Sequence, residues 1–193
     1  MLLPFFHEHL TEAGVDEAGR GCYAGPVYAA AVILPSNFFH PLLDDSKKLT
    51  AAQRNLLRPI IEKESIAFAV AAVDNHIIDR VNILQASFLA MHQAIDQLTI
   101  LPERLLIDGN RFKPYKNIIH QCVVKGDGKY ASIAAASILA KTYRDFYMTQ
   151  LHQQFPHYCW NKNKGYGTLV HRNAIEENGL CNYHRKSFNI SSP

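Results

Sequence analysis

The fold is decided by residues 12–34, which read EAGVDEAGRGCYAGPVYAAAVIL and place two apolar runs around a glycine-rich turn. Residues 12–18 and 27–34 are predicted strands, because each run is short, apolar and bounded by turn residues. The second run is continuously apolar, which predicts burial on both faces of a sheet. The turn at 19–26 contains glycines that would let a ligand approach the backbone closely.

The rest of the chain continues this alternation of strands and helices. Thr50 and Gln53 have the form of a capping box and predict a helix start, and Pro59 would allow a kink or an early end. Apolar residues recur every three to four positions over 77–98, which predicts a helical segment that Asn82 could divide and cap. Further strands are predicted at 66–73, 105–108 and 118–124, and a long helix at 130–155. This order is typical of an α/β domain.

Length and composition predict one globular domain. The chain has 193 residues, of which 48% are apolar and 19% charged, as is usual for a soluble protein. No linker, repeat or low-complexity stretch divides it, so we predict a single domain, 1–193, in which residues 156–193 form a small C-terminal appendage. No apolar run approaches the length of a membrane span, and the N-terminus does not resemble a signal peptide, so we expect a cytoplasmic location.

Neither the net charge nor the cysteines exclude many classes of function. The net charge of +3 is mild, although confining several acids to one site would leave a more basic surface suited to a polyanion. The cysteines lack a C-x-x-C pair and are expected to be ordinary thiols. Cys181 and His184 could form half of a zinc site, but a clear second half is missing.

Four acids share one structural situation, namely a strand end or the turn just after it. They are Asp16, Glu17, Asp108 and Asp127. Side chains at strand ends of an α/β sheet can converge, and carboxylate oxygens are preferred ligands of Mg²⁺. Taken singly, each acid is also explained as a turn or cap residue. Asp16 and Glu17 are neighbours, so they would share a site only if the strand ends or bends there.

Glycines and basic residues supply further candidates. Gly19-Arg20-Gly21 offers backbone groups and a guanidinium to a phosphate, and a tight turn with a solvated arginine is the alternative. Residues 161–168 combine lysines with Tyr166 between glycines, a pattern that suits phosphate binding and stacking on a sugar or base. More cations occur at 44–48 and 184–186, although each segment alone is more typical of a solvated loop. P-loop and dinucleotide-binding spacings are absent.

Six motifs, taken together and in order, resemble the bacterial ribonuclease HII family over roughly residues 13–188. They are VDEAGRG at 15–21, DSKKL at 45–49, IDGN at 107–110, KGD at 125–127, AASILAK at 135–141 with RD at 144–145, and KGYGT at 164–168. The resemblance implies a ribonuclease H-like fold, in which a mixed central sheet is flanked by helices and followed by a small helical C-terminal part.

The resemblance also implies a metal-dependent endoribonuclease. Such an enzyme would cleave the RNA strand of RNA–DNA hybrids and cut 5′ of single ribonucleotides embedded in duplex DNA, leaving 3′-hydroxyl and 5′-phosphate ends. Its catalytic and metal-binding residues would be Asp16, Glu17, Asp108 and Asp127, and its substrate-binding residues Gly19, Arg20, Gly21, Lys47 and Tyr166. We predict in-line attack of water assisted by two divalent ions, Mg²⁺ or Mn²⁺.

The expected partners are therefore RNA–DNA hybrids and ribonucleotide-containing duplex DNA. We expect no membrane association and no obligate protein partner, and we predict a monomer. Two alternatives stay open at this point. One is an exonuclease or phosphatase with a related acidic cluster, and the other is a non-catalytic nucleic-acid-binding module whose acids are structural.

Overall fold

A five-stranded mixed sheet forms the centre of the computed structural model, which describes residues 2–190. The strands are β1 (Glu12–Ala18), β2 (Val27–Ile33), β3 (Ala67–Val73), β4 (Arg104–Asp108) and β5 (Ile119–Val123). Their order in the sheet is β3-β2-β1-β4-β5. The first three strands pair antiparallel, whereas β1, β4 and β5 run parallel. The predicted mixed sheet is confirmed, and β1 and β2 lie within one residue of their predicted bounds.

Helices cover both faces of this sheet. They are α1 (Ala51–Glu64), α2 (Asn75–Val81), α3 (Ile83–Asp96), α4 (Ala131–Gln154), α5 (Trp160–Asn163) and α6 (Leu169–Asn178). One apolar core joins α2 and α3 to the sheet, and a second joins α1 and α4 to the opposite face. The capping box of Thr50 and Gln53 is present, and α1 continues through Pro59. Asn82 separates α2 from α3 and caps α3, as its position predicted.

The first half of α4 packs directly on β1 because both surfaces are small. A Cβ atom added to Gly14 on β1 would lie 2.2 Å from the backbone carbon of Ser132 on α4. The five following residues of α4, 133–137, are fully or almost fully buried. This close approach brings the polar side chains of α4 to the end of β1, where the candidate site lies.

Residues after α4 contribute to a third, small apolar core. Trp160 and Tyr158 pack with Met148 from the end of α4 and with Ala24 from the turn between β1 and β2. The C-terminal segment therefore lies against that turn. The last three residues of the predicted appendage, 191–193, lie outside the described part of the chain. Within residues 2–190, no helix has both the length and the apolar character needed to cross a bilayer.

Candidate active site

Three of the four predicted acids converge at the ends of adjacent parallel strands. Asp16, Asp108 and Asp127 each offer a carboxylate oxygen, and these oxygens all lie within 4.8 Å of one another. Asp16 lies near the end of β1 and Asp108 ends β4. Asp127 lies in a short 3₁₀ turn, Gly126–Gly128, between β5 and α4. The ends of the strands therefore bring Asp16 together with two acids that lie more than 90 residues further along the chain.

Hydrogen bonds fix the orientation of these carboxylates. Oδ1 of Asp108 accepts from the Gly126 N–H at 2.7 Å, which ties β4 to the turn that carries Asp127. Oδ1 of Asp16 accepts from the Glu17 N–H at 2.7 Å. The ammonium group of Lys47 lies 3.4 Å from Oδ2 of Asp127, so the predicted lysine does face the acids.

Glu17 lies at the rim of this group instead of inside it. Its Oε1 accepts a hydrogen bond from Nη1 of Arg20 at 3.0 Å. It lines a cavity of about 250 Å³ together with Asp16 and Asp108, and it also lines a neighbouring cavity of about 280 Å³ with Asp108. Alternation along β1 separates Glu17 from Asp16, while the end of the strand at Ala18 keeps both at one edge.

The acids repel one another, and burial adds to the cost of their charges. Burial raises the pKa of Asp16 well above its usual range, and the neighbouring charges of Glu17 and Asp108 raise it further. Burial also raises the pKa of Asp127, with Asp108 adding to the effect and Lys47 opposing it. An all-oxygen set of mutually repelling carboxylates fits a hard divalent cation, which would neutralise the repulsion.

The difference in stability between the wild type and Asp16→Asn should depend on pH, because of the raised pKa of Asp16. Because its pKa is higher in the folded state, ionisation of Asp16 reduces the stability of the metal-free protein as pH rises above about 4. We therefore expect Asp16→Asn to raise the thermal midpoint in excess EDTA at neutral pH, by about 2–4 °C per kcal/mol of relieved repulsion. The difference should shrink towards pH 4 in thermal scans. A midpoint gain that does not change with pH would contradict this assignment.

Hydrogen bonds from the side chain of Arg185 support the Gly19-Arg20-Gly21 loop. The guanidinium group of Arg185 donates to the carbonyls of Gly19 at 2.7 Å, Arg20 at 2.8 Å and Gly25 at 3.0 Å. A peptide N–H points opposite to the C=O of its own peptide unit, so the N–H groups of Arg20 and Gly21 face away from Arg185. Neither N–H has an acceptor among residues 2–190. Two adjacent donors are therefore free for a ligand.

A second buried arginine joins this loop to the loop that carries Tyr166. Arg144 donates to the carbonyls of Pro26 at 3.0 Å, Ala24 at 3.1 Å and Lys164 at 2.8 Å. Both Arg144 and Arg185 are fully buried. The interpretation of 184–186 as a solvated basic loop is therefore wrong for His184 and Arg185, which are internal, and holds only for the exposed Lys186.

Tyr166 lies beside the glycine loop with 40% of its surface exposed. Its backbone forms an antiparallel bridge with Cys22, and the Tyr23 N–H donates to the Gly165 carbonyl at 2.7 Å. Lys141 on α4 places its ammonium group 5.7 Å from the centre of the tyrosine ring. The Lys141 ammonium also donates to Asp145 at 2.7 Å, which agrees with a structural role for that acid within its helix.

Two buried histidines support the Tyr166 loop from the C-terminal core. Nδ1 of His171 donates to the Tyr166 carbonyl, and its Nε2 accepts from Nε1 of Trp160, both at 2.9 Å. Nδ1 of His184 accepts from the Cys181 N–H at 3.0 Å. Burial lowers the pKa of His184 to about 4, with His171 adding to the effect, so the ring is neutral. Among residues 2–190, the group of three or more potential metal ligands consists of Asp16, Asp108 and Asp127. Cys181 and His184 are not part of such a group within this range.

The cavity of about 250 Å³ joins these features into one site. It is lined by Asp16, Glu17, Gly19, Arg20, Gly21, Lys47, Asp108 and Tyr166, together with Ala18, Ser46, Arg54, Ser137 and Lys141. Asp127 is absent from its lining but lies in the acid cluster with Asp16 and Asp108, which do line it. Ser137 belongs to the AASILAK motif but was not predicted as a site residue; its hydroxyl lies 2.8 Å from that of Ser46 and lowers the pKa of Asp16.

Comparisons with known proteins match both the sequence and the fold of this chain. A family model described as Ribonuclease HII matches residues 13–191. Ribonuclease HII of Bacteroides thetaiotaomicron is 63% identical over 98% of this chain and 95% of that protein. A structure of the PCNA:RNase HII complex from Archaeoglobus fulgidus matches with a TM-score of 0.79 and 25% identity, covering 95% of this chain and 97% of that one. Bst-RNase HIII in complex with Mn²⁺ has a TM-score of 0.72 and 21% identity, covering 94% of this chain and 68% of that one.

Proposed function

Because the chain belongs to the ribonuclease HII family, we propose that it cuts duplex DNA on the 5′ side of an embedded ribonucleotide as well as the RNA strand of RNA–DNA hybrids. The ribonuclease H-like fold is confirmed, the chain is a nuclease of the hydrolase class, and family membership supports the hybrid substrate. One observation carries the finer proposal. Three convergent carboxylates lie in the same site as two peptide N–H groups that have no acceptor among residues 2–190.

The carboxylates of Asp16, Asp108 and Asp127 would hold divalent cations, with Glu17 completing the set at the rim. Four negative charges are balanced by two divalent ions, and either Mg²⁺ or Mn²⁺ suits an all-oxygen set. When bound, such ions lower the pKa of an attacking water and stabilise a leaving oxygen. The Bst-RNase HIII complex with Mn²⁺ supports divalent metal use. The protein fixes the positions of the ligands through the Gly126 and Glu17 N–H groups.

Recognition of the ribose would fall to the peptide N–H groups of Arg20 and Gly21. Both point away from Arg185, and the residues that carry them line the site cavity. A 2′-hydroxyl can accept from such donors and is the group that distinguishes RNA from DNA. A deoxyribose would leave these donors unpaired in a desolvated complex, which would penalise DNA at this position. Arg20 and Lys47 would contribute positive charge towards the phosphates.

Tyr166 would contact the next sugar, which lacks a 2′-hydroxyl in a single-ribonucleotide substrate. We expect Tyr166→Ala to reduce kcat/KM for that substrate about tenfold more than for a long RNA–DNA hybrid, since one lost stacking contact is worth roughly 1–3 kcal/mol. Tyr166→Phe is the matched control, because it keeps the ring and should retain the selectivity. Steady-state kinetics on both substrates measure the ratio. Equal losses on the two substrates would remove this role from Tyr166.

The decisive assay uses purified protein and an end-labelled DNA duplex containing one internal ribonucleotide. Mg²⁺-dependent cleavage on the 5′ side of the ribonucleotide, with 3′-hydroxyl and 5′-phosphate products, is expected. A hybrid with both ends blocked tests the exonuclease alternative, because only an endonuclease cuts it internally. Binding without cleavage at any metal concentration would instead support a non-catalytic module.

The same assay tests the need for a protein partner. An archaeal relative forms a complex with PCNA, whereas we propose that this chain acts as a monomer and needs no second protein for cleavage. Full activity of the purified chain alone is therefore expected, and dependence on an added protein would contradict the proposal. We also propose that the protein is cytoplasmic, as expected from its sequence.

A further inference from the structure

A larger cavity, of about 450 Å³, lies between α1 and α4 next to the site cavity. Arg54 lines both cavities, so the two are neighbours. The polar residues around the larger cavity include Arg54, Arg58, Thr142, Asp145, Thr149 and Lys164. Lys164, which lines the larger cavity, stands two residues before Tyr166, which lines the site cavity, so the Tyr166 loop contributes to both cavities.

Two cations in this cavity have no carboxylate partner among the described residues. Lys164 directs its ammonium group to Oγ1 of Thr149 at 2.8 Å and to the Asn161 carbonyl at 2.7 Å, which leaves one donor unused. Burial lowers the pKa of Lys164, Asp145 opposes the effect, and Lys141 and Arg144 add to it. An anion bound in the cavity would therefore stabilise the charged form of Lys164.

Arg54 is in a similar position. Its Nη1 donates to the carbonyls of Ser46 and Leu49, so the side chain braces the loop that carries Lys47 without being neutralised. Arg58 differs, because it pairs with Glu62 at 2.7 Å and stacks on the ring of Tyr143. Asp145 is paired with Lys141. The unneutralised charge of the cavity thus comes from Arg54 and Lys164.

We propose that this cavity is a phosphate subsite that holds a backbone phosphodiester of the DNA on the 3′ side of the ribonucleotide. The proposal rests on the proposed function, which orders the strand from the acid cluster, past the glycine loop, to Tyr166. In this arrangement, the phosphate that follows the sugar at Tyr166 belongs to the cavity that Lys164, two residues from Tyr166, helps to line. Lys164 contacts the phosphate through its unused donor, and Arg54, which lines both cavities, contributes positive charge.

Free phosphate or a mononucleotide shares this chemistry, so the test separates them from a diester. Fluorescence anisotropy measures binding of a ribonucleotide-containing duplex without requiring cleavage. A series of duplexes then carries one uncharged methylphosphonate at each successive position on either side of the ribonucleotide. With the wild-type protein, we expect one position beyond the neighbouring deoxyribose, on the 3′ side, to weaken binding about five- to tenfold, as loss of one charge-assisted contact does. This part needs no variant.

Lys164→Gln identifies the protein group. It keeps a hydrogen-bonding side chain but removes the charge, and it should weaken binding of the unmodified duplex about five- to tenfold and lower the salt slope of the affinity by about one. The methylphosphonate at the sensitive position should then have no further effect. Lys162→Gln removes the same charge from an exposed position nearby that does not line the cavity, and should keep the wild-type pattern.

Three outcomes would overturn the subsite. They are a methylphosphonate series without a sensitive 3′ position, additive losses in Lys164→Gln, and equal losses in Lys162→Gln. Competition by millimolar inorganic phosphate in the wild type but no sensitive diester position would assign the cavity to a free phosphate instead. If the duplex binds with the expected pattern but is not cleaved with Mg²⁺, the proposed function fails while the subsite stands.

Discussion

Asp108→Asn is expected to reduce cleavage of both substrates about 10⁴-fold, equivalent to roughly 5.5 kcal/mol of lost transition-state stabilisation. The substitution keeps the size of the side chain and an oxygen that can accept from the Gly126 N–H, so the turn carrying Asp127 should stay in place. It removes one of the three negative charges in the cluster of Asp16, Asp108 and Asp127, whose carboxylate oxygens lie within 4.8 Å of one another. Cation affinity, and with it the activation of water, should fall while the fold persists.

Kinetics with titrated Mg²⁺ and thermal unfolding in EDTA together measure this prediction. Asp96→Asn is the matched control, because it makes the same chemical change on the exposed end of α3, where Asp96 pairs with Lys116. The control should keep wild-type cleavage and lose little stability. Near-full activity of Asp108→Asn at low Mg²⁺ would remove Asp108 from the catalytic set. Loss of the folded state would show that the acid is structural.

Elements governed by local patterns could be predicted from the sequence. The capping box at Thr50 and Gln53 is a contact between residues three positions apart, and Asn82 caps a helix by accepting from the N–H groups two and three positions further on. The convergence of Asp16, Asp108 and Asp127 was also predictable, because parallel neighbouring strands end at the same edge of a sheet. Their roles in catalysis stay predictions until the substitutions are measured.

The support of the glycine loop could not be predicted in the same way. Arg185 contacts Gly19, Arg20 and Gly25 across more than 150 residues of chain. Locally it follows a histidine and precedes a lysine, a pattern typical of a solvated surface. A fully buried guanidinium that donates only to backbone carbonyls leaves no periodicity or spacing in the sequence. Asp16 and Glu17 differ because their side chains point in different directions. Their adjacency in sequence did not show that Asp16, and not Glu17, would join Asp108 and Asp127.

Gly19→Ala is expected to reduce kcat/KM for the single-ribonucleotide substrate about 10³-fold and to destabilise the protein by roughly 2–4 kcal/mol. Gly19 has a φ angle of +95°, which a residue with a Cβ rarely adopts. The added Cβ would also lie 2.0 Å from Nε of Arg144. Arg144 would have to shift, and with it the contacts to Ala24, Pro26 and Lys164 that join the two loops.

Gly21→Ala separates support of the loop from contact with the substrate. A Cβ at Gly21 meets no protein atom within 4 Å, so the thermal midpoint should stay within about 1 °C of wild type. Its N–H faces the site, however, and a methyl group there should crowd the ribose and reduce kcat/KM about tenfold. Thermal scans and kinetics on both variants therefore give opposite patterns, with loss of stability and activity in Gly19→Ala and loss of activity alone in Gly21→Ala. If Gly21→Ala keeps full activity on a single ribonucleotide, the ribose does not approach the Cα atom of Gly21 closely, and the proposed close contact at this glycine is wrong.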